Sequence, residues 1–220
     1  MAVSEFAVLT LATTPLNNEA KAALTKAQAM QDEWHTRSFP NSPLSRSKRA
    51  SAWLHQVEDP SLIMTIAQWD TVQAHMDCVA SDTNKAIMAE LRGKYIDTSK
   101  GYDIFHTDTD FLEDGAGNPL LKSPIISVSR LYVSAGKREE FAAQFAQVKP
   151  VLEAYAGPKF VRHGWREDLE EGANDEFVLV CGWKSVEKHY AFSDVRGFDQ
   201  FSQLQGFFVQ IDVKHYKRFI

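Results

Sequence analysis

The feature that most constrains this chain is a doubled stretch. Residues Leu62 to Ser81 read LIMTIAQWDTVQAHMDCVAS, and residues Phe177 to Val195 read FVLVCGWKSVEKHYAFSDV. Each is an apolar run closed by a Trp, then a Thr or Ser, a Val, and a His six positions after the Trp: Trp69 and His75, Trp183 and His189. An apolar run with β-branched residues reads as a strand, and the spacing after it reads as a helix. Two matched copies imply an internal repeat of about one hundred residues, and a repeat decides the architecture before any local detail does.

The remaining segments fall into the same order twice. Phe6 to Leu11 reads as a strand ended by Thr13-Thr14-Pro15, and Asn17 or Asn18 caps a helix through Trp34. His35 to Arg49 reads as a long loop, and its basic trio Arg46, Lys48 and Arg49 as a solvated face. Ser51 to Val57 alternates and places Trp53, His55 and Val57 on one strand face; Glu58-Asp59-Pro60 turns into the strand from Leu62. Helical pieces follow from Thr71 to Val79 and from Thr83 to Tyr95, then a strand from Tyr102 to Thr107. Residues 112–123 hold Asp114, Gly115, Gly117 and Pro119 and read as a linker.

The second copy runs through a strand at Ile125 to Val133, then a helix at Lys137 to Tyr155. That helix carries Phe141, Phe145, Val148, Leu152 and Tyr155 on one stripe, with an interruption expected at Pro150. Strands at Phe160 to Trp165 and Phe177 to Gly182, a helical stretch near Phe198 to Phe208, and a closing strand at Val209 to Tyr216 complete it. The predicted fold class is therefore α+β: two β-α-β-β-α-β units spanning residues 1–111 and 124–220. Comparing the copies sets His55 opposite His163, His75 opposite His189, and, in a looser register, His106 opposite His215.

Composition excludes several functions. A net charge of -5 gives no footprint for nucleic acid or an anionic membrane. The apolar start of the chain carries Glu5 and is too short to span a bilayer, so a cytoplasmic protein is expected. Cys78 and Cys181 occupy non-equivalent places in the copies and read as buried thiols. No glycine-rich phosphate loop, nucleophile elbow or metal-ligand spacing occurs, so neither a cofactor nor a metal is expected.

Trp183-Lys184-Ser185-Val186-Glu187-Lys188-His189, followed by Ser193-Asp194 and Phe198, resembles the strand-end Trp, Ser-x-Glu helix start and helical His of a known superfamily. This is the ferredoxin-like dimeric α/β barrels, here fused in tandem, which include antibiotic-biosynthesis monooxygenases and stress-responsive barrel proteins. The first copy keeps Trp69 and His75 but has Val72-Gln73 in place of the Ser-x-Glu pattern. The resemblance implies an intramolecular pseudo-dimer, with a further homodimer left open, and one pocket between sheet and helices in each unit. It also implies a cofactor-independent enzyme of secondary metabolism that oxygenates a hydrophobic aromatic or polyketide-like molecule. The alternatives are an acid–base cyclase, isomerase or decarboxylase using a pocket histidine, and a non-catalytic stress or ligand-binding protein.

Histidine is the side chain suited to proton transfer near neutral pH. His163, between Val161 and Trp165 on a strand face, is the first candidate base and His55 the second. Trp165, Tyr155, Phe141, Phe145, His189, Tyr190, Trp53 and His75 are the candidate substrate-binding residues; His75 and His189 could instead tie helix to sheet. The more aromatic second unit is expected to hold the better pocket.

Overall fold

A computed structural model of the chain describes residues 2–44, 50–113 and 117–220. The basic trio Arg46, Lys48 and Arg49 and the linker residues Asp114 and Gly115 lie outside the described residues. The chain divides into two compact units, residues 1–118 with 218–220, and residues 119–217.

The first unit contains β1 (Val3–Thr10), α1 (Asn18–Ser38), β2 (Ser51–Gln56), β3 (Leu62–Trp69), α2 (Val72–Ala80), α3 (Asp82–Leu91) and β4 (Asp103–Thr107). The second contains β5 (Ile125–Val133), α4 (Arg138–Ala156), β6 (Val161–Trp165), β7 (Asp175–Trp183), α5 (Val186–Tyr190), α6 (Phe198–Ser202) and β8 (Phe208–Arg218). Each unit is a four-stranded antiparallel sheet, in the order β4-β1-β3-β2 in the first and β8-β5-β7-β6 in the second. The two strand orders are the same, so each unit is a ferredoxin-like repeat. Phe219 and Ile220 return to the first unit, where the Phe219 N–H donates to the Trp53 carbonyl at 3.0 Å.

Local chemistry accounts for the elements. The Asn17 side chain accepts from the Ala20 N–H at 2.8 Å and starts α1. After each strand-end Trp a hydroxyl caps the next helix: Thr71 accepts from the Ala74 N–H at 3.1 Å, and Ser185 from the Lys188 N–H at 3.2 Å. This cap is the physical meaning of the doubled Trp-x-Thr/Ser pattern.

Two expectations are corrected. The helix α1 continues past Trp34 to Ser38, because His35 is buried and its Nε2 meets Asp70 Oδ2 at 2.7 Å. The loop read from His35 starts only after Ser38. Pro150 leaves α4 continuous and sits on its exposed face. Within residues 112–123, Leu112, Asn118, Leu120 and Leu121 are buried, and Leu120–Lys122 form a 3-10 turn.

Alternation along the strands sorts side chains into two faces. In the first unit Glu5, Ala7 and Leu9 of β1 share a face with Thr65, Ala67 and Trp69 of β3 and with Ile104 and His106 of β4, by register. Phe6 faces the other way and stacks on Phe105 at 5.0 Å. In the second unit Ser127, Ser129 and Leu131 share a face with Leu179, Cys181 and Trp183, and with Ile211, Val213 and His215. Phe141, Phe145, Val148 and Leu152 of α4 belong to that unit's core.

Candidate functional site

The strand registers give the correspondence between repeats. Val3 pairs with Trp69 and Ile125 with Trp183, so Glu5 corresponds to Ser127. Trp53 pairs with Thr65, and His163 with Leu179, which occupies the place of Thr65. His163 therefore corresponds to Trp53, and His55 to Trp165. The sequence match of His55 with His163 is displaced by two positions. That slip preserves the face and so leaves the apolar pattern unchanged. The pairings of His75 with His189 and His106 with His215 hold in the structure: each helical His meets a His of the last strand.

In the first unit Trp69 is fully buried and its Nε1–H donates to Glu5 Oε2 at 2.7 Å. His75, on α2, stacks on Trp69 with ring centroids 4.8 Å apart. Its Nε2 lies 3.4 Å from the same Glu5 oxygen, and its Nδ1 is 2.7 Å from His106 Nε2. Glu5, His75 and His106 are 4%, 4% and 2% exposed. With Glu5 ionised, every donor in this row is used if His106 Nε2–H donates to His75 Nδ1 and His75 Nε2–H points to the carboxylate. Glu5 Oε2 takes both contacts, and Oε1 makes no bond among the described residues.

Glu5 and His75 line a cavity of about 250 Å³ between the sheet and the helices of this unit. Its apolar walls are Ala7 and Leu9 of β1, Ala27 of α1, Ile87 and Leu91 of α3, and Ile96, and Gln28, Gln31, Asn84 and Arg92 also line it. Trp53 is also part of the wall, and its buried Nε1–H has no hydrogen-bond partner among the described residues. A buried carboxylate among aliphatic groups is uncommon unless paired or used.

The second unit repeats the frame without the carboxylate. Trp183 Nε1–H donates to Ser127 Oγ at 2.8 Å, His189 stacks on Trp183 at 4.5 Å, and His189 Nδ1 is 2.7 Å from His215 Nε2. Burial, together with the His215 imidazole, pushes the His189 ring down to about 4, so His189 is neutral at pH 7. The equivalent cavity is also about 250 Å³ and is lined by Ser127, Phe145, Cys181, His189, Tyr190 and Phe192 among others. Burial in this wall pushes the Cys181 thiol up and keeps it protonated. The second unit's pocket is thus no larger than the first's, and it lacks the acidic group.

The remaining candidates are dispersed. His163 is half-buried, with Phe145 at 4.9 Å and Phe177 at 5.4 Å, in a separate hollow with Trp165, Lys149 and Glu153. Trp165 also lies under the Arg138 guanidinium at 4.5 Å. His55 Nε2 meets the Pro60 carbonyl at 2.8 Å in the hairpin between β2 and β3. Phe141 is in the core against Phe177 at 4.9 Å. Tyr155 donates its hydroxyl to the Lys188 carbonyl at 3.0 Å, and Tyr190 is 64% exposed at the cavity mouth. His75 and His189 both make the helix-to-sheet hydrogen bond. Glu5 escaped the sequence reading because it sits in an apolar strand near the start of the chain. Its signal was a charge at an inward-facing position of β1.

No protein-family model and no curated protein matches the chain. Its shape matches solved structures over its whole length. An anthrone oxidase-like protein shares 10% identity, with 100% of this chain and 92% of that one covered, at a TM-score of 0.62. A Fusobacterium nucleatum protein assigned as a monooxygenase shares 8%, covering 99% and 92%, at 0.59. A haem-binding protein of Thermus thermophilus shares 11%, covering 100% and 91%, at 0.57. The fold is that of the fused dimeric α/β barrels, with two ferredoxin-like repeats in one chain. Solved proteins that share this fold include ones assigned as monooxygenases and the anthrone oxidase-like protein. At such identities the likeness is one of fold.

Proposed function

We propose that the chain is an enzyme that removes a proton from an activated C–H or phenolic O–H of a small, flat, apolar molecule, with Glu5 of the first unit as the base. The observation that carries this reading is the buried Glu5 carboxylate, held at Oε2 by Trp69 and His75 and unbonded at Oε1, in the wall of an apolar cavity. Orientation by two groups at one oxygen leaves the other to take the proton, with no reorganisation at the moment of transfer. The His75–His106 row stabilises the carboxylate in the resting enzyme. Trp53 Nε1–H, buried without a partner among the described residues, would donate to a substrate oxygen seated against that wall, which would carry the negative charge after deprotonation.

Monooxygenation is the overall reaction favoured, and the neighbours assigned as monooxygenases and anthrone oxidase-like support it by fold. Deprotonation of an activated methylene gives a delocalised carbanion, which reduces dioxygen directly. One oxygen atom becomes the new carbonyl and the other leaves as water with the two methylene hydrogens, so no further reductant is required. Proton transfer without dioxygen would give an isomerase or cyclase from the same site.

The fold also includes a haem-binding protein. The histidine-lined cavities here are each about 250 Å³, below the roughly 300–1,000 Å³ of sites for drug-sized ligands. The proposed reaction uses no haem.

Anthrone is a suitable probe. Under argon in deuterated buffer the enzyme should speed deuterium entry into its methylene, and in air it should consume dioxygen with carbonyl formation. Glu5→Gln should lower both rates about 10²–10⁴-fold. Deuterium entry as fast in Glu5→Gln as in the parent protein would refute the role of Glu5.

A further inference from the structure

The second unit holds a cavity larger than either sheet–helix pocket and outside the chemistry described above. Its volume is about 480 Å³. One part of its lining is apolar and largely aromatic: Tyr155, Phe160 and Trp183, with Pro119 and Pro124. The rest carries the charge, in Lys122, Lys184 and Lys188. Among the described residues no Asp or Glu lines the cavity, although the whole chain has a net charge of -5. Three cations around an apolar hollow in an acidic protein form a local site of complementary sign for an anion.

A second observation points the same way. Ser123 also lines this cavity, and its buried hydroxyl has no hydrogen-bond partner among the described residues. The hydroxyl lies against Gly182, so close that a Cβ at that residue would come within 2.0 Å of it. Only glycine at position 182 leaves it room. An unpaired buried hydroxyl is unfavourable, and rotation about the Ser123 Cα–Cβ bond would offer it to an oxygen in the cavity.

We propose that this cavity binds a planar aromatic acid, with the ring system against Phe160, Trp183 and the prolines and the carboxylate among Lys122, Lys184 and Lys188. Ser123 supplies a hydrogen bond to the carboxylate. The volume admits a fused-ring acid, and the flat walls favour one over an aliphatic acid. The site is separate from the Glu5 cavity, so its occupant is a second ligand of the protein and the assignment stands whether or not Glu5 is a base.

The test uses 2-naphthoate and the uncharged 2-naphthalenemethanol on the full chain, by calorimetry and by amide chemical shifts. Naphthoate should bind with shifts centred on Ser123, Gly182, Trp183 and Lys184, and more weakly as salt rises. The alcohol should bind about tenfold more weakly at low salt, and the Lys122→Gln/Lys184→Gln/Lys188→Gln variant should lose a similar factor for naphthoate. Ser123→Ala should weaken naphthoate several-fold without lowering the melting temperature of the free protein. Equal affinity for acid and alcohol would overturn the proposal, as would shifts centred elsewhere or naphthoate binding indifferent to the three lysines. If the triple variant fails to fold, the salt dependence and the acid–alcohol comparison decide alone.

Discussion

Acid should destabilise the second unit through His189. Its half-buried ring stacks on Trp183 beside His215, and it titrates at about 4 in the folded protein against an ordinary 6.5. The folded-state value is depressed, so the unfolded chain binds the proton more tightly. Stability from this group is complete above pH 6.5 and is lost progressively as the pH falls toward 4. The full span corresponds to roughly 3 kcal/mol, and near pH 4.5 the loss is about 2.5 kcal/mol. His189→Gln removes the titrating ring while keeping a polar group next to His215. Hydrogen exchange of the β5 and β7 amides reads the stability of this unit by itself, which a whole-chain melting curve of a two-unit protein would not. Between neutral pH and about pH 4.5 the parent protein should lose about 2.5 kcal/mol more than His189→Gln. Equal losses in the two proteins would show that His189 is not held neutral by its surroundings, and the reasoning from burial would fail.

Other perturbations test separate parts of the structure. Glu5→Gln preserves an acceptor for the Trp69 N–H, so it should leave the melting temperature within a few degrees of the parent while turnover collapses; thermal unfolding beside the anthrone assay checks both. Gly182→Ala should destabilise the second unit by about 1–3 kcal/mol, because the new methyl would lie 2.9 Å from Ser123 Cβ even with the hydroxyl rotated away, and Ser123→Gly in the same chain should recover most of that loss, as hydrogen exchange of the β5 and β7 amides would show. Glu176 is 1% exposed and holds both Arg130 and Arg166. Glu176→Ala should cost about 3–5 kcal/mol in that unit by leaving two guanidinium groups without their shared carboxylate, measurable by the same exchange method.

The sequence by itself determined the architecture. The doubled Trp-to-His stretch encodes a strand, a hydroxyl cap and a helix, all set by contacts within a few residues, so pattern alone finds them. Both copies of that signal lead to the same sheet order. Where the sequence reading slipped, the deciding forces came from further along the chain. The helix α1 extends because Asp70, thirty-five residues away, binds His35. His55 and His163 look alike in sequence, yet cross-strand register sets them two positions apart, and period-two alternation gives no local signal of such a shift.

The candidate site was less legible. His75 and Trp53 were read from the sequence as pocket residues, and the structure places both in the first unit's cavity wall. Their partners, Glu5 on β1 and His106 on β4, are remote in sequence and meet only because those two strands are neighbours in the sheet. The same adjacency decides that the first repeat has a carboxylate where the second has Ser127. Side-chain identity at that one inward position separates a Trp–His frame that ends on a carboxylate from one that ends on a hydroxyl. Its environment, with Trp69 and His75 on one carboxylate oxygen and the other left open, exists only once the sheet has formed, because no segment shorter than the whole unit brings those groups together.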